Sequence, residues 1–475
     1  MSDTGPRRDR LLLDVLVVAC LCALVGLCSF RLREIYPDDA LIVLRYARHL
    51  LDGHGWVYNV GEAVNATTSP LHVMVVVGLA GITGDLLTAQ PLAFALPLAA
   101  ATIMAFVQFR HLGRLPATMA GVLVALTPRV YTTLGMESSL LIACALGACV
   151  ANENARPRLA GLLAGAAVLA RPDAALLGGI LTLRAWRSQG WRAALGLALG
   201  AGLVVLPWVW FATARFGSPL PNTLAVKLAQ RHFFKDPPIF LNGAWRELRW
   251  LDERAVGVPP WAVLAVALGA TACLAWHARR HRASACFAAF AWLQFATYAV
   301  FDLPPYHWYY APVFGAVALA LATTFATTWA TQRPLPMLAG IIVTAASLAV
   351  ALPELVAPQP SRPNYPLAGV WFAEHTPPDC TIAVADIGIV GFHAYPRRIL
   401  DMQGLVTAGA AEAIARGDTG WWFDRERPDY VLAHTVPWPD FEVPVLSRPD
   451  FLRTYRRLPG THLRGLEVWE RVARD

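Results

Sequence analysis

Residues 11–30 read LLLDVLVVACLCALVGLCSF, and residues 31–59 continue RLREIYPDDALIVLRYARHLLDGHGWVYN. The first stretch is an apolar run long enough, at about 1.5 Å per helical residue, to cross a hydrocarbon core of about 30 Å. Two adjacent carboxylates, Asp38 and Asp39, then open a second segment. Within it Arg45, Arg48, His49 and Asp52 recur at i, i+3, i+4 and i+7, while Leu41, Leu44, Leu50 and Leu51 lie elsewhere around the turn. Gly53 and Gly55 end the pattern. A membrane span followed by an amphipathic helix lying at the membrane surface is the reading that this periodicity supports.

The rest of the chain agrees with a membrane setting. Of 475 residues, 56% are hydrophobic and only 15% are charged, with a mean hydropathy of +0.44. A soluble fold could not bury that much apolar surface, so the composition predicts an α-helical polytopic membrane protein. The net charge of +7 sits mostly in short arginine clusters between apolar runs. That spacing follows the positive-inside rule and argues against a nucleic-acid partner. Seven of the eight cysteines lie in apolar runs, and no CxxC pair or His/Cys ligand spacing occurs, so neither a disulfide framework nor a metal site is indicated. Arg7, Arg8 and Arg10 precede the first run and no small-x-small cleavage site follows it, which reads as an uncleaved signal anchor.

Apolar runs place candidate spans at 11–30, 91–109, 116–132, 138–151, 159–170, 173–186, 193–214, 260–276, 283–301, 309–328 and 335–353, about 11 transmembrane helices. The glycine-broken segment 71–84 reads as interfacial or re-entrant. With RRDR (7–10), RHLGR (110–114), ENARPR (153–158), RAWRSQGWR (184–192), HARRHR (277–282) and TQR (331–333) on the cytoplasmic side, the N-terminus is expected inside. The opposite face then collects 31–90 with the Asp pair, TPRVYTTLGMESS (127–139), ARPD (170–173), the loop 215–259, DLPPYHWYY (302–310) and the C-terminal region. Residues 1–354 are thus expected to form the transmembrane domain, and 355–475 a small α/β extracytoplasmic domain. In that domain TIAVADIGIVGF, PDYVLAH and LEVWERVA read as short strands, and WFAEHTPPDC as a helix end. No repeat is evident, and chemistry-bearing residues gather at one membrane face rather than along a transmembrane path, which weighs against a transporter.

The bland account of Asp38 is a helix N-cap after Pro37, worth about 1 kcal/mol. A second adjacent acid also suits the first turn of a helix. Neighbouring sequence adds a second account. YPDDA…RYARHLLDGHGWVYNVGEAVNATTSPL (36–71) resembles the first outer loop of GT-C glycosyltransferases, in particular the terminal arabinofuranosyltransferases of the mycobacterial cell wall and their bacterial relatives. The likeness rests on the Asp-Asp pair, an RYA-type helix, a G-x-G-aromatic-x-aromatic-N stretch and TSPL. It extends to GMESSL (135–140), ARPDA (170–174), FGSPLPNT (216–223), YHWYYAP (306–312) and DIGIVGF…ILDMQGL (386–405).

This resemblance implies a GT-C type fold whose first outer loop, 31–90, is catalytic. It also implies a polyprenyl-phosphate sugar donor and a glycan or lipid-linked acceptor at the outer face of a bacterial inner membrane, with arabinofuranose as the favoured sugar. The alternatives are another sugar with a lipid or protein acceptor, or a lipid-linked sugar flippase. Such a transfer needs a base for the acceptor hydroxyl and positive charge for the departing phosphate. Adjacent helical residues point about 100° apart, so one acid serves as base, Asp39 ahead of Asp38, and the other orients substrate. A divalent cation held by the pair is the open cofactor alternative.

Arg171, Lys227 and His307 are the candidates for the donor phosphate. Each has an ordinary reading as well: snorkelling for Arg171, a solvated lysine for Lys227, and an aromatic membrane belt around His307. Tyr306 and Trp308 would wall a sugar site, His54 in DGHGW lies in the first loop, and Glu137 is a further outer-face acid.

Overall fold

The computed structural model describes residues 5–231, 238–254, 259–330, 334, 338, 364–461 and 463–472. Among these described residues five helices are long and apolar enough to cross a membrane: Asp9–Arg31, Leu86–Leu112, Trp191–Phe216, Arg282–Val300 and Ala311–Ala330. Four shorter apolar helices accompany them: Pro70–Thr83, Ser138–Glu153, Pro157–Ala170 and Pro260–Trp276. The chain is a multi-pass helical membrane protein.

One expected span is interrupted. Where 116–132 read as continuous, the helix Arg114–Ala125 stops and a separate turn, Pro128–Tyr131, follows. Pro128 explains the break, because proline has no N–H and holds the preceding Thr127 extended, at φ −62° and ψ 105°. Twelve residues reach only about 18 Å at 1.5 Å per residue, short of the bilayer core. Pro70–Thr83 is also short; it runs unbroken through Gly78 and Gly81, which read as breaks in the sequence, and ends on left-handed Gly84. The expected span 335–353 and the TQR cluster at 331–333 lie outside the described residues, apart from Leu338.

The chain divides into two compact units, each built from three separate stretches. The first comprises Met1–Tyr36, Leu87–Pro207 and Pro238–Gln359. Small residues let its helices approach closely. A Cβ on Gly161 would stand 2.1 Å from the Leu197 carbonyl oxygen, and one on Gly165 would stand 2.8 Å from that of Ala201.

The second unit comprises Pro37–Leu86, Trp208–Pro237 and Pro360–Asp475. Its five-stranded sheet has the order β2-β1-β3-β5-β4, with β1 Thr381–Val384, β2 Arg398–Asp401, β3 Tyr430–His434, β4 Tyr455–Arg457 and β5 Leu466–Arg471. The β2-β1-β3 part is parallel, while β5 runs antiparallel to both β3 and β4. The helix Asn364–His375 precedes β1, where WFAEH read as a helix end. TIAVADIGIVGF is only half strand, since Ile387–His393 is a helix crossing from β1 to β2. Parallel neighbours need such a crossover.

Candidate active site

Pro37, extended at φ −68° and ψ 157°, leads into the helix Asp38–Leu51. Both acids therefore lie in the first turn, where the helix dipole favours negative charge. Asp38 does not cap its own helix, as the sequence suggested it would. Its Oδ2 accepts the Gly388 N–H at 2.7 Å and its Oδ1 the Ile389 N–H at 2.8 Å. Those are the second and third N–H groups of the helix Ile387–His393, the ones an N-cap side chain ordinarily satisfies. Asp386 occupies the N-cap position itself but makes no cap bond. The approach leaves no room for a side chain, because a Cβ on Gly388 would stand 1.8 Å from the Asp38 carbonyl oxygen. Burial, helped by the neighbouring Asp386, pushes the Asp38 carboxyl above the usual carboxylate range against the pull of the two N–H bonds.

Asp39 points elsewhere. Its carboxylate keeps about a quarter of its surface exposed (26%) and lies 3.5 Å from Nζ of Lys227. Lys227 sits on the helix Asn222–Gln230 with most of its side chain buried. Asn222 and Thr223 hold that helix in place. Asn222 Nδ2 donates to the carbonyls of Gly404 and Leu405 at 3.0 and 2.9 Å, and the Asn222 N–H donates to that of Asn65 at 2.6 Å. The Thr223 hydroxyl donates to Ala66 at 2.8 Å. The first loop (36–71), FGSPLPNT (216–223) and DIGIVGF…ILDMQGL (386–405), far apart in sequence, thus converge around the Asp pair.

The polar stripe of the Asp38–Leu51 helix departs from expectation. Arg45 is only 1% exposed rather than at a membrane surface. Its guanidinium donates to the carbonyls of Tyr58 (2.9 Å), Arg397 (2.6 Å) and Gly391. Arg48 stacks over Phe392, 4.2 Å from the ring centre. Tyr58 donates to the Ile387 carbonyl at 2.7 Å. Asn59 pairs with Ile399 of β2 through both its amide nitrogen and its oxygen, as a neighbouring strand would. The stripe therefore faces the sheet unit. His49, hydrogen-bonded to Val57, is driven down to about 4 by burial. His54 is exposed, its ring 5.6 Å from that of His49.

The remaining candidates belong to the first unit. Arg171 ends the helix Pro157–Ala170 and is 4% exposed, so it does not snorkel. Its guanidinium pairs with Asp173 at 2.9 Å and donates to the Tyr298 hydroxyl at 2.8 Å and the Trp308 carbonyl at 3.3 Å. Glu137 lies 3.9 Å away. Asp173 also accepts from Gln294 and Tyr298. ARPD thus encodes a buried ion pair with its own donors. His307 contacts the Thr132 carbonyl through Nε2 at 3.0 Å. Trp308, 7% exposed, stacks on Tyr306 with ring centres 4.7 Å apart and planes 9° from parallel.

Among the described residues no three His, Cys, Asp or Glu side chains form a metal-ligand group. The Asp pair does not fit a divalent cation. Both Asp38 oxygens already accept N–H bonds, and beside Asp39 stands the Lys227 ammonium where a cation would have to sit. Sequence reading missed Gly388 as a contact, although its spacing to Gly391 on one short segment was the available signal.

Residues 67–301 match glycosyltransferase family 87, and residues 359–473 match a domain of unknown function (DUF8728). Over 238 residues the chain is 31% identical to the terminal β-(1→2)-arabinofuranosyltransferase of Mycobacterium tuberculosis, covering 45% of this chain and 38% of that protein. The Corynebacterium glutamicum protein of the same name is 27% identical over 284 residues, covering 53% and 40%. The chain therefore spans about two fifths of the length of these relatives. Among solved structures, ArnT from Cupriavidus metallidurans bound to undecaprenyl phosphate superposes with a TM-score of 0.60 at 14% identity, over 99% of both chains. The mycobacterial arabinofuranosyltransferase AftD gives 0.51 at 16% identity, over 96% of this chain and 40% of that one. At these identities the structural likeness shows the fold. The chain is thus similar in fold to these membrane glycosyltransferases, and similar in sequence over about half its length to glycosyltransferase family 87 and to the terminal arabinofuranosyltransferases.

Proposed function

We propose that the chain transfers a sugar, arabinofuranose on the strength of its relatives, from a polyprenyl-phosphate donor to an extracytoplasmic glycan of a bacterial cell envelope. The observation that carries this reading is the Asp39–Lys227 pair. A part-exposed carboxylate and an ammonium stand 3.5 Å apart beside a second acid that the fold holds in place. The carrier class is supported by ArnT, whose structure contains undecaprenyl phosphate.

In this reading Asp39 accepts the proton of the acceptor hydroxyl. The new glycosidic bond forms as the bond between the anomeric carbon and the phosphate oxygen breaks, and the polyprenyl phosphate departs with the electron pair. Lys227 offsets the charge on that phosphate. Before the donor arrives, the same ammonium is shared with Asp39. A bound phosphate competes for it and leaves the carboxylate available as a base. Asp38 fixes the turn that presents Asp39. Arg171, expected from sequence to serve the phosphate, is engaged with Asp173, so the role falls to Lys227. The N-terminus is assigned to the cytoplasm, and residues 355–475 to the outer face of the inner membrane.

The test is to incubate purified protein with a panel of synthetic polyprenyl-phosphate sugars and an arabinan acceptor. Transfer from the arabinofuranosyl donor that is lost in Asp39→Asn supports the reading. No transfer from any donor, or transfer untouched by Asp39→Asn, overturns it.

A further inference from the structure

In the second unit a row of titratable side chains outside the Asp39–Lys227 pair runs from the helix Asn364–His375 to the end of β3. Tyr365 Oη lies 2.9 Å from Asp386 Oδ2 and 2.5 Å from His434 Nε2. On the far side of the ring, His434 Nδ1 lies 2.8 Å from Glu442 Oε1. Glu442 is fully buried. Its oxygens also receive the N–H groups of Trp438 at 2.8 Å and of His434 at 3.3 Å. Because every neighbour of that carboxylate is a donor, His434 Nδ1 carries a hydrogen. Trp438 stacks on the ring at 4.9 Å and 12°, which favours a cation there. Across the ladder on β5, Leu466 faces His434, and the adjacent acid Glu467 is paired with Arg457 at 3.1 Å.

Two proton arrangements are compatible with these three contacts. In one, His434 Nε2–H donates to Tyr365 Oη, and the phenol donates to the Asp386 carboxylate. In the other, Asp386 is a carboxylic acid donating to Tyr365 Oη, and the phenol donates to the lone pair of a neutral His434 Nε2. Passing between them moves one proton from histidine to the phenol oxygen while the phenol's own proton goes to Asp386. Imidazolium and carboxylate become imidazole and carboxylic acid, and tyrosine is neutral in both.

We infer that Tyr365 and His434 form a proton relay that sets the charge of Asp386 beside Asp38. Asp386 lies two residues before Gly388, whose N–H binds Asp38, and its charge acts on the Asp38 carboxyl. With the proton on His434, Asp386 is negative and opposes ionisation of Asp38. With the proton on Asp386, that opposition is removed. His434 is thus a positioning residue, and its link to catalysis rests on the proposed role of the Asp pair.

The experiment uses the full chain in detergent and Tyr365→Phe, which removes the conducting hydroxyl and keeps the ring. Sugar transfer and melting temperature are each followed against pH. The relay predicts that the midpoint of the pH–rate curve moves by about half a unit or more, roughly threefold in proton affinity, and that the pH dependence of melting also changes shape. His434→Gln should show the same displacement, and the double variant no further one. Wild-type midpoints with only a lower plateau would make the row a structural contact and overturn the relay. Should no donor support transfer, the proposed function fails, while the melting curves still decide the relay: altered shape supports it and unaltered shape rejects it. If Tyr365→Phe does not fold, His434→Gln carries the comparison with the same two outcomes.

Discussion

Asp38 and Gly388 are held together at two points, although 350 residues separate them. The Gly388 N–H meets Asp38 Oδ2 at 2.7 Å, and a Cβ at 388 would stand 1.8 Å from the Asp38 carbonyl oxygen. The first loop and the crossover helix of the sheet are therefore one piece of structure, and the position of Asp39 depends on that joint.

Gly388→Ala should break the joint. Neither backbone can yield locally, so the helix Ile387–His393 must retreat from Asp38, at a cost of about 1–3 kcal/mol. A lower melting temperature and loss of transfer are expected together. Gly178→Ala, with open space around it in a helix where alanine is the better former, should melt no lower than the wild type. Equal melting of the two variants would refute the close approach.

Asp39→Asn should abolish transfer by about 10²–10⁴ in rate while leaving donor binding intact, since it keeps shape but cannot take a proton. Lys227→Gln should act differently. Losing a charge-assisted contact to phosphate is worth about 1.5–3 kcal/mol, so KM for the donor should rise roughly tenfold to a hundredfold. Asp38→Asn, which keeps one accepted N–H bond, should fall between the wild type and Asp39→Asn. Rapid-mixing and steady-state kinetics on the three variants separate base, phosphate and joint. A dead Asp38→Asn beside an active Asp39→Asn would exchange the two acids.

The pH dependence of stability should carry the mark of Asp401 at the end of β2. Its carboxyl is fully buried and pushed by that burial to about 7, above an ordinary value of 3.8, even though it accepts the N–H groups of Gln403 and Val406. A raised folded value means that the protonated form stabilises the fold. This contribution is complete below about pH 4 and is lost as pH climbs through about 7. Melting temperature should fall across that window, and Asp401→Asn should flatten the fall. The same slope in the variant would assign it to other groups.

Membrane topology is testable with single cysteines in a background lacking the native eight. Ala63→Cys and Asp418→Cys, both at exposed positions, should react with an impermeant maleimide from outside the cell. Asn154→Cys, also exposed, should react only after the membrane is opened. Labelling of Ala63→Cys from the cytoplasm would reverse the orientation drawn from the arginine clusters.

The apolar runs were legible because crossing a membrane imposes length and hydropathy on local sequence, and the five helices among the described residues that are long and apolar enough to cross one all lie on expected spans. Pro128 within 116–132 was a readable break that hydropathy alone overrides. The partners of the polar residues were not legible. A stripe of Arg45, Arg48 and His49 shows that one face is polar, not whether water, lipid headgroups or backbone carbonyls meet it. Arg45 finds Gly391 and Arg397 about 350 residues away. Asp38 likewise caps a helix other than its own, and a local capping rule points only to neighbours in sequence.

Arg171 gives the sharpest contrast between local and tertiary reading. By sequence it is a cation at a helix end, suited to a phosphate. In the fold it is 4% exposed and paired with Asp173 at 2.9 Å. Removing one member of a buried pair strands the other, which typically costs about 3–5 kcal/mol. Arg171→Ala should therefore lower the melting temperature and the yield of folded protein before it alters donor use. Arg171→Lys should rescue little, because one ammonium cannot reach Asp173, the Tyr298 hydroxyl and the Trp308 carbonyl together. Arg171→Met with Asp173→Asn, which removes both charges, should recover much of the lost stability. If that double variant folds like the wild type and its donor KM is unchanged, Arg171 holds the bundle end together. If it folds normally but the donor KM rises at least tenfold, the guanidinium serves the phosphate after all, and Lys227 loses its sole claim to that charge.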